Sequence, residues 1–157
     1  MADFTARGGA AFALDPLRLA AGQDLAAEAL AWARPQLQQG PVLVYATAAP
    51  DAVKAVQAQL GANQAGALVE AALARVAQGL VQAGVGQLLV AGGETSGACV
   101  QALGVTQLRI GPQIDPGVPW CHAQLPPHLG GQGLHLALKS GNFGAVDFFT
   151  SAFAKLS

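Results

Sequence analysis

The chain has 157 residues, 52% hydrophobic and 11% charged, with a formal net charge of −1 at pH 7. That length suits one domain with a real core, and the near-neutral balance excludes the basic field that nucleic acid requires. Neither a basic amphipathic helix nor an apolar run of roughly 18 to 20 residues is present to engage or cross a membrane.

In chain order, residues 11–14 read as a short strand, and Asp15-Pro16 as a turn or helix start. Asp24 is placed to cap a helix over 25–34 with Leu25, Ala29, Trp32 and Ala33 on one face, which Pro35 should end or kink. Val42–Tyr45 is a short apolar run that fits a strand buried on both faces. Pro50 should start a helix carrying Val53, Val56 and Leu60, which Gly61 stops. A longer helix follows over 64–83, with Val69, Leu73, Val76 and Leu80 as its stripe and Gly84 as its left-handed end.

Gln87–Ala91 is the next strand, followed by a short helix to Leu103 that Thr95 or Ser96 would cap and Gly104 would end. Residues 106–110 read as a strand, and 111–133, rich in Pro and Gly, as a long loop. Leu134, Leu136 and Leu138 alternate with His135, Ala137 and Lys139 at strand period. Val146, Phe149, Phe153 and Leu156 share one face of a last helix. Strands alternating with helices predict an α/β fold: a mostly parallel sheet flanked by helices, in a single domain over 1–157. In such sheets ligands collect at the carboxyl ends of the strands.

Two glycine turns lie at such ends. In Gly92-Gly93-Glu94-Thr95 the missing Cβ atoms let an anion approach the backbone, and Thr95 or Ser96 could cap the helix or offer a hydroxyl to phosphate. Glu94 makes sense beside a polyphosphate if Mg²⁺ lies between them. The same residues would equally serve as a tight turn with an acidic residue at a helix start. In Lys139-Ser140-Gly141-Asn142-Phe143-Gly144, Lys139 leaves the strand where an ammonium could meet phosphate oxygens. Ser140 and Asn142 add side-chain hydrogen bonds, and Gly141 and Gly144 allow unusual backbone angles. A surface lysine before a capped turn is the plainer alternative, with Phe143 as a loop anchor.

The remaining candidates divide in the same way. Trp120 could wall an adenine pocket or pack in the core, and Asp115 could be a metal-associated carboxylate or a turn-forming residue before Pro116. Cys121, His122, His128 and His135 match no usual zinc spacing, so no metal-ligand set is assigned. No G-x-S-x-G elbow is present. Cys99 and Cys121 read as free thiols of a cytoplasmic protein, and no secretory signal opens the chain.

Three segments occur in order: 92–98 (Gly92-Gly93-Glu94-Thr95-Ser96-Gly97-Ala98), 110–119 (Ile110-Gly111-Pro112-Gln113-Ile114-Asp115-Pro116-Gly117-Val118-Pro119) and 138–144 (Leu138-Lys139-Ser140-Gly141-Asn142-Phe143-Gly144). Together they closely resemble the nucleotide-binding domain of the four-carbon acid sugar kinase family, whose members are similar to threonate, erythronate and 3-oxo-tetronate kinases. The resemblance implies an ATP- and Mg²⁺-dependent phosphotransferase acting on a hydroxyl of a four-carbon sugar acid. It implies ATP contacts at Gly92, Gly93, Glu94 and Thr95 and along the 139–144 turn (Lys139, Ser140, Gly141, Asn142 and Gly144).

Members of that family are longer, with an N-terminal domain that binds the sugar acid and should supply the catalytic base. Their nucleotide domain also opens with a strand bearing a Gly-Ser-Cys-Ser-like turn, which is absent here. Met1-Ala2-Asp3-Phe4 resembles the helix after that turn. The expectation is a chain that starts inside the domain and transfers little or no phosphate alone. A non-catalytic nucleotide- or phosphate-binding module, and a structural fragment that pairs with a partner chain or forms a homodimer, are the alternatives.

Overall fold

The computed structural model describes residues 1–46, 54, 58, 60–140 and 145–156. Contacts divide it into two units, Met1–Gly8 with Ala77–Ser157, and Gly9–Val76. The chain opens on a short helix, α1 (Ala2–Ala6), which belongs to the first of these. Asp3 of α1 accepts hydrogen bonds from Thr150 Oγ1 at 2.7 Å and Arg7 Nε at 3.0 Å, and these two partners hold its carboxyl below the ordinary value.

In the unit Gly9–Val76, β1 (Ala10–Ala13) pairs in parallel with β2 (Val42–Tyr45), in the register Ala10↔Val42. Between them lie α2 (Pro16–Ala20) and α3 (Leu25–Gln36), each started by its aspartate: Asp15 accepts from Leu17 N at 2.8 Å, and Asp24 from Ala27 N at 3.1 Å. Arg75, 3.0 Å from Asp24, lowers that carboxyl further than the Ala27 amide does. Leu25, Ala29 and Ala33 are buried as expected, and Trp32, half-buried, lies 5.4 Å from the Phe12 ring. Pro35 sits inside the last turn and the helix stops one residue beyond it. β2 is half-buried along its whole length, not enclosed on both faces, because among the described residues β1 is its one ladder neighbour. The helix expected over 50–60 falls almost wholly outside the described residues.

The long helix α4 (Ala62–Gln82) buries Val76 and Leu80 and leaves Val69 and Leu73 half-buried. It ends as predicted. Gly84 takes φ +98°, its N–H reaches the Val81 carbonyl, and Val85 N reaches the Leu80 carbonyl.

The other unit holds a four-stranded sheet of β3 (Gln87–Ala91), β4 (Arg109–Asp115), β5 (Val118–Gln124) and β6 (Gly133–Lys139), in the order β3-β6-β5-β4. β3 and β6 run parallel, while β5 runs antiparallel to both β6 and β4. The protein is thus α/β with helices and mixed sheets, where a mostly parallel arrangement was expected. The difference arises in 106–133. The strand expected over 106–110 begins only at Arg109 and continues to Asp115. The expected loop over 111–133 is largely a hairpin, closed by Pro116-Gly117 with Asp115 opposite Val118. Gly117 has φ +79°, as position three of a type II turn requires. Pro112 is tolerated because β4 is an edge strand whose register shifts between Ile110 and Gln113.

The last helix also differs. α6 (Phe148–Ser151) passes into a 3₁₀ turn (Ala152–Leu156), and Val146, expected on the packed face, is 86% exposed. Phe148 and Ala152 instead join Ile114, Val118, Trp120 and Ala137 in one core, with Phe149, Phe153 and Leu156 packed against it. Val146 lies in the turn before Phe148, outside the helix, so helical spacing does not set its direction.

Candidate nucleotide site

The site grows from the register of two strands. β3 and β6 pair from Gln87↔His135 to Ala91↔Lys139, so both chains leave the sheet at the same end. Gly92 N–H continues the ladder, donating to the Lys139 carbonyl at 2.8 Å. The chain then turns sharply into α5 (Gly93–Ala102), and Gly92, not Thr95 or Ser96, is the N-cap. Its backbone stands at φ +111°, a conformation that L side chains rarely adopt, and a Cβ there would lie 3.1 Å from Thr95 Oγ1.

Because no side chain caps this helix, its first turn keeps donors open. Ser96 N–H already reaches the Gly92 carbonyl at 2.9 Å. The amides of Gly93, Glu94 and Thr95 precede it, where an α-helix has no carbonyl of its own to offer. The Ser96 hydroxyl, weighed as a cap or phosphate donor, is buried without a hydrogen-bond partner among the described residues. Glu94 and Gly93 are exposed and Thr95 is half-buried.

Gly93 faces the second turn. A Cβ on Gly93 would lie 4.0 Å from Ser140 Oγ, so the two predicted turns start in van der Waals range of each other. Lys139 holds its ammonium 5.9 Å from the centre of the Phe148 ring, within cation–π range. Gly141, Asn142, Phe143 and Gly144 lie outside the described residues. Just beyond them, Ala145 N–H donates to Asp115 Oδ2 at 2.9 Å, so the hairpin aspartate anchors the chain as it re-enters the described fold. That tie was not foreseen, although Asp-Pro-Gly was the signal for a hairpin end close to the site.

Trp120 does not wall a nucleotide pocket. Its ring is wholly buried, 5.7 Å from Phe153, and its indole N–H donates to the Ala152 carbonyl at 2.9 Å. Cys99, buried on α5, is a free thiol pushed up to about 11 by burial, and Cys121, half-buried on β5, is free and raised by the same cause. Among the described residues no group of three or more His, Cys, Asp or Glu side chains could hold a metal ion. No described helix is long and apolar enough to cross a membrane.

A carboxyl-end turn built of glycine, with open amides and a neighbouring serine and lysine, is the arrangement that phosphate groups use. The chain belongs to the nucleotide-binding C-terminal domain family, whose pattern matches residues 2–149. It is 57% identical over 147 residues to a 3-oxo-tetronate kinase of Pseudomonas fluorescens, covering 94% of this chain and 33% of that protein. A 3-oxo-tetronate kinase of Pseudomonas savastanoi is 56% identical with the same coverage. The chain spans about a third of the length of these curated relatives. Among solved structures, a Haemophilus influenzae protein of a family of unknown function superposes with a TM-score of 0.82 at 40% identity, covering 95% of this chain and 35% of that one.

Proposed function

We propose that this chain is the ATP-binding portion of a kinase that phosphorylates a four-carbon sugar acid of the 3-oxo-tetronate type. The reading is carried by the nearness of Gly93 and Ser140, where a Cβ on the glycine would lie 4.0 Å from Ser140 Oγ, at the shared end of two parallel strands. The amides of Gly93, Glu94 and Thr95 donate to phosphate oxygens, and Gly92 and Gly93 keep the approach clear. Lys139, Ser140, Gly141, Asn142 and Gly144 hold the same phosphates from the second turn. ATP supplies the phosphoryl group when bound, and Mg²⁺, approached by Glu94 directly or through water, offsets its charge.

The residues present fit that group. The cradle has no side chain where Gly92 and Gly93 stand, and its donors have no competing cap. The protein side of catalysis here is electrostatic and positional. The sugar acid and the base that takes its hydroxyl proton are assigned to the part of the longer relatives that this sequence does not match. The 157-residue chain alone is therefore expected to bind nucleotide without transferring phosphate. The reading places it in the cytoplasm with its cofactor.

Calorimetric titration of the folded chain with ATP·Mg tests this. Saturable binding that a Gly93→Asp variant loses supports the proposal, and no heat from a demonstrably folded chain overturns it. Self-association is a separate proposal, motivated by Ile110 and Val146, which are 76% and 86% exposed. A monomer in sedimentation at micromolar concentration would remove it.

A further inference from the structure

The four-stranded sheet carries a second polar feature, towards the opposite end of β6. Gln87 on β3 pairs with His135 on β6, His135 with His122 on β5, and His122 with Arg109 on β4. Directly opposed residues project to the same face of a sheet, so one polar row crosses all four strands. The two imidazoles touch, with ring centres 5.4 Å apart at an interplanar angle of 74°. Gln87, His122 and Arg109 are exposed and His135 is half-buried.

The neighbouring glycine leaves the space beside this pair open. A Cβ on Gly133 would lie 2.6 Å from His122 Nε2, closer than real Cβ atoms come, so the ring could not lie where it does over any other residue. Gly133 is not among the glycines with positive φ, so its backbone does not demand glycine. Among the described residues, no carboxylate pairs with Arg109 or either imidazole, and none of the four side chains makes a hydrogen bond.

We propose that this row binds an oxyanion, a phosphate or carboxylate group. The Arg109 guanidinium offers a planar fork that suits two oxygens at once. Each imidazole offers at least one N–H donor in either tautomer, and the Gln87 amide offers two more. A divalent cation suits the row poorly, because Arg109 keeps its charge and no third ligating side chain is at hand. His135 lies four residues before Lys139, about 13 Å along the strand, so this anion is not the phosphate of the proposed nucleotide turns. The inference stands independently of the kinase reading.

The chain has three histidines, and His128, on the 3₁₀ turn Pro127–Leu129, is an internal control. Imidazole C–H resonances are followed by NMR while inorganic phosphate, or in a second arm succinate, is added at constant ionic strength. The expected result is saturable shifts at His122 and His135, none at His128, and at least a tenfold weakening in Arg109→Gln, a change at an exposed position. Saturation by phosphate alone assigns a phosphate ligand, by succinate alone a carboxylate, and by both the shared chemistry. Shifts that are linear, equal at all three histidines or unchanged by Arg109→Gln overturn the proposal.

Discussion

β3 and β6 run side by side and leave the sheet together at Ala91 and Lys139, whereas β5 and β4 run antiparallel and are joined through Pro116 and Gly117. The parallel half starts two turns at one place, because strands of the same direction release their chains at the same end. In the antiparallel half the carboxyl ends of β4 and β5 point opposite ways, so no two turns start together there. That half supplies bulk: Ile114, Val118 and Trp120 fill the core under the C-terminal helix, and Asp115 ties down Ala145 beyond the second turn. One half of the sheet therefore carries the proposed nucleotide turns, and the other packs against the C-terminal segment and ties down Ala145.

This division can be broken from either side. The largest effect is expected from Trp120→Ala, which empties a fully buried position and strands the Ala152 carbonyl, at a cost of about 3 to 5 kcal/mol in denaturant unfolding. Alkaline pH probes the helix over the parallel half. The Cys99 thiol is raised from 9.0 to about 11, so the folded state keeps its proton while the unfolded state loses it. The stability it contributes is complete below pH 9 and declines as pH rises towards about 11, by roughly 3 kcal/mol at most in pH-dependent melts. Cys121, half-buried in the antiparallel half, should alkylate well before Cys99 does in the native protein.

Smaller effects sharpen the comparison within the turn itself. Gly92→Ala forces a side chain onto φ +111° and should cost about 1 to 3 kcal/mol of stability as well as ATP affinity. In Gly93→Asp the new Cβ meets only ordinary contact with Ser140 Oγ at 4.0 Å and no positive φ, so thermal stability should hold while ATP·Mg affinity falls about tenfold or more, ~1.4 kcal/mol. Equal stability losses in the two variants would show that the turn is purely structural. Ile110→Lys, at an exposed position on the edge strand, should change stability by less than about 0.5 kcal/mol.

Much of the parallel half was legible because its signals are local. Gln87–Ala91 matches the observed strand, and Gly84 and Gly104 end their helices with positive φ; in the unit Gly9–Val76, Asp15 and Asp24 likewise cap as their positions promised. The hairpin was missed because Pro and Gly were read as loop formers, when here they make one tight turn and one edge irregularity. The helix cap was misplaced because Thr95 and Ser96 are good capping residues by type, yet the ladder bond from Gly92 to Lys139 starts the helix earlier. Val146 was assigned inward from its spacing alone, but the helix starts only at Phe148 and leaves it in an exposed turn.

The amino-acid sequence by itself marked which residues could form phosphate cradles, since glycine tolerates unusual backbone angles and a helix start leaves amides open. It also determined the relationship to the nucleotide-binding family, through three ordered segments. Only the tertiary structure decided that the two turns begin side by side, because strand order is not written in any one segment. β6 lies next to β3 although two strands intervene in the chain, and that pairing sets Gly93 against Ser140.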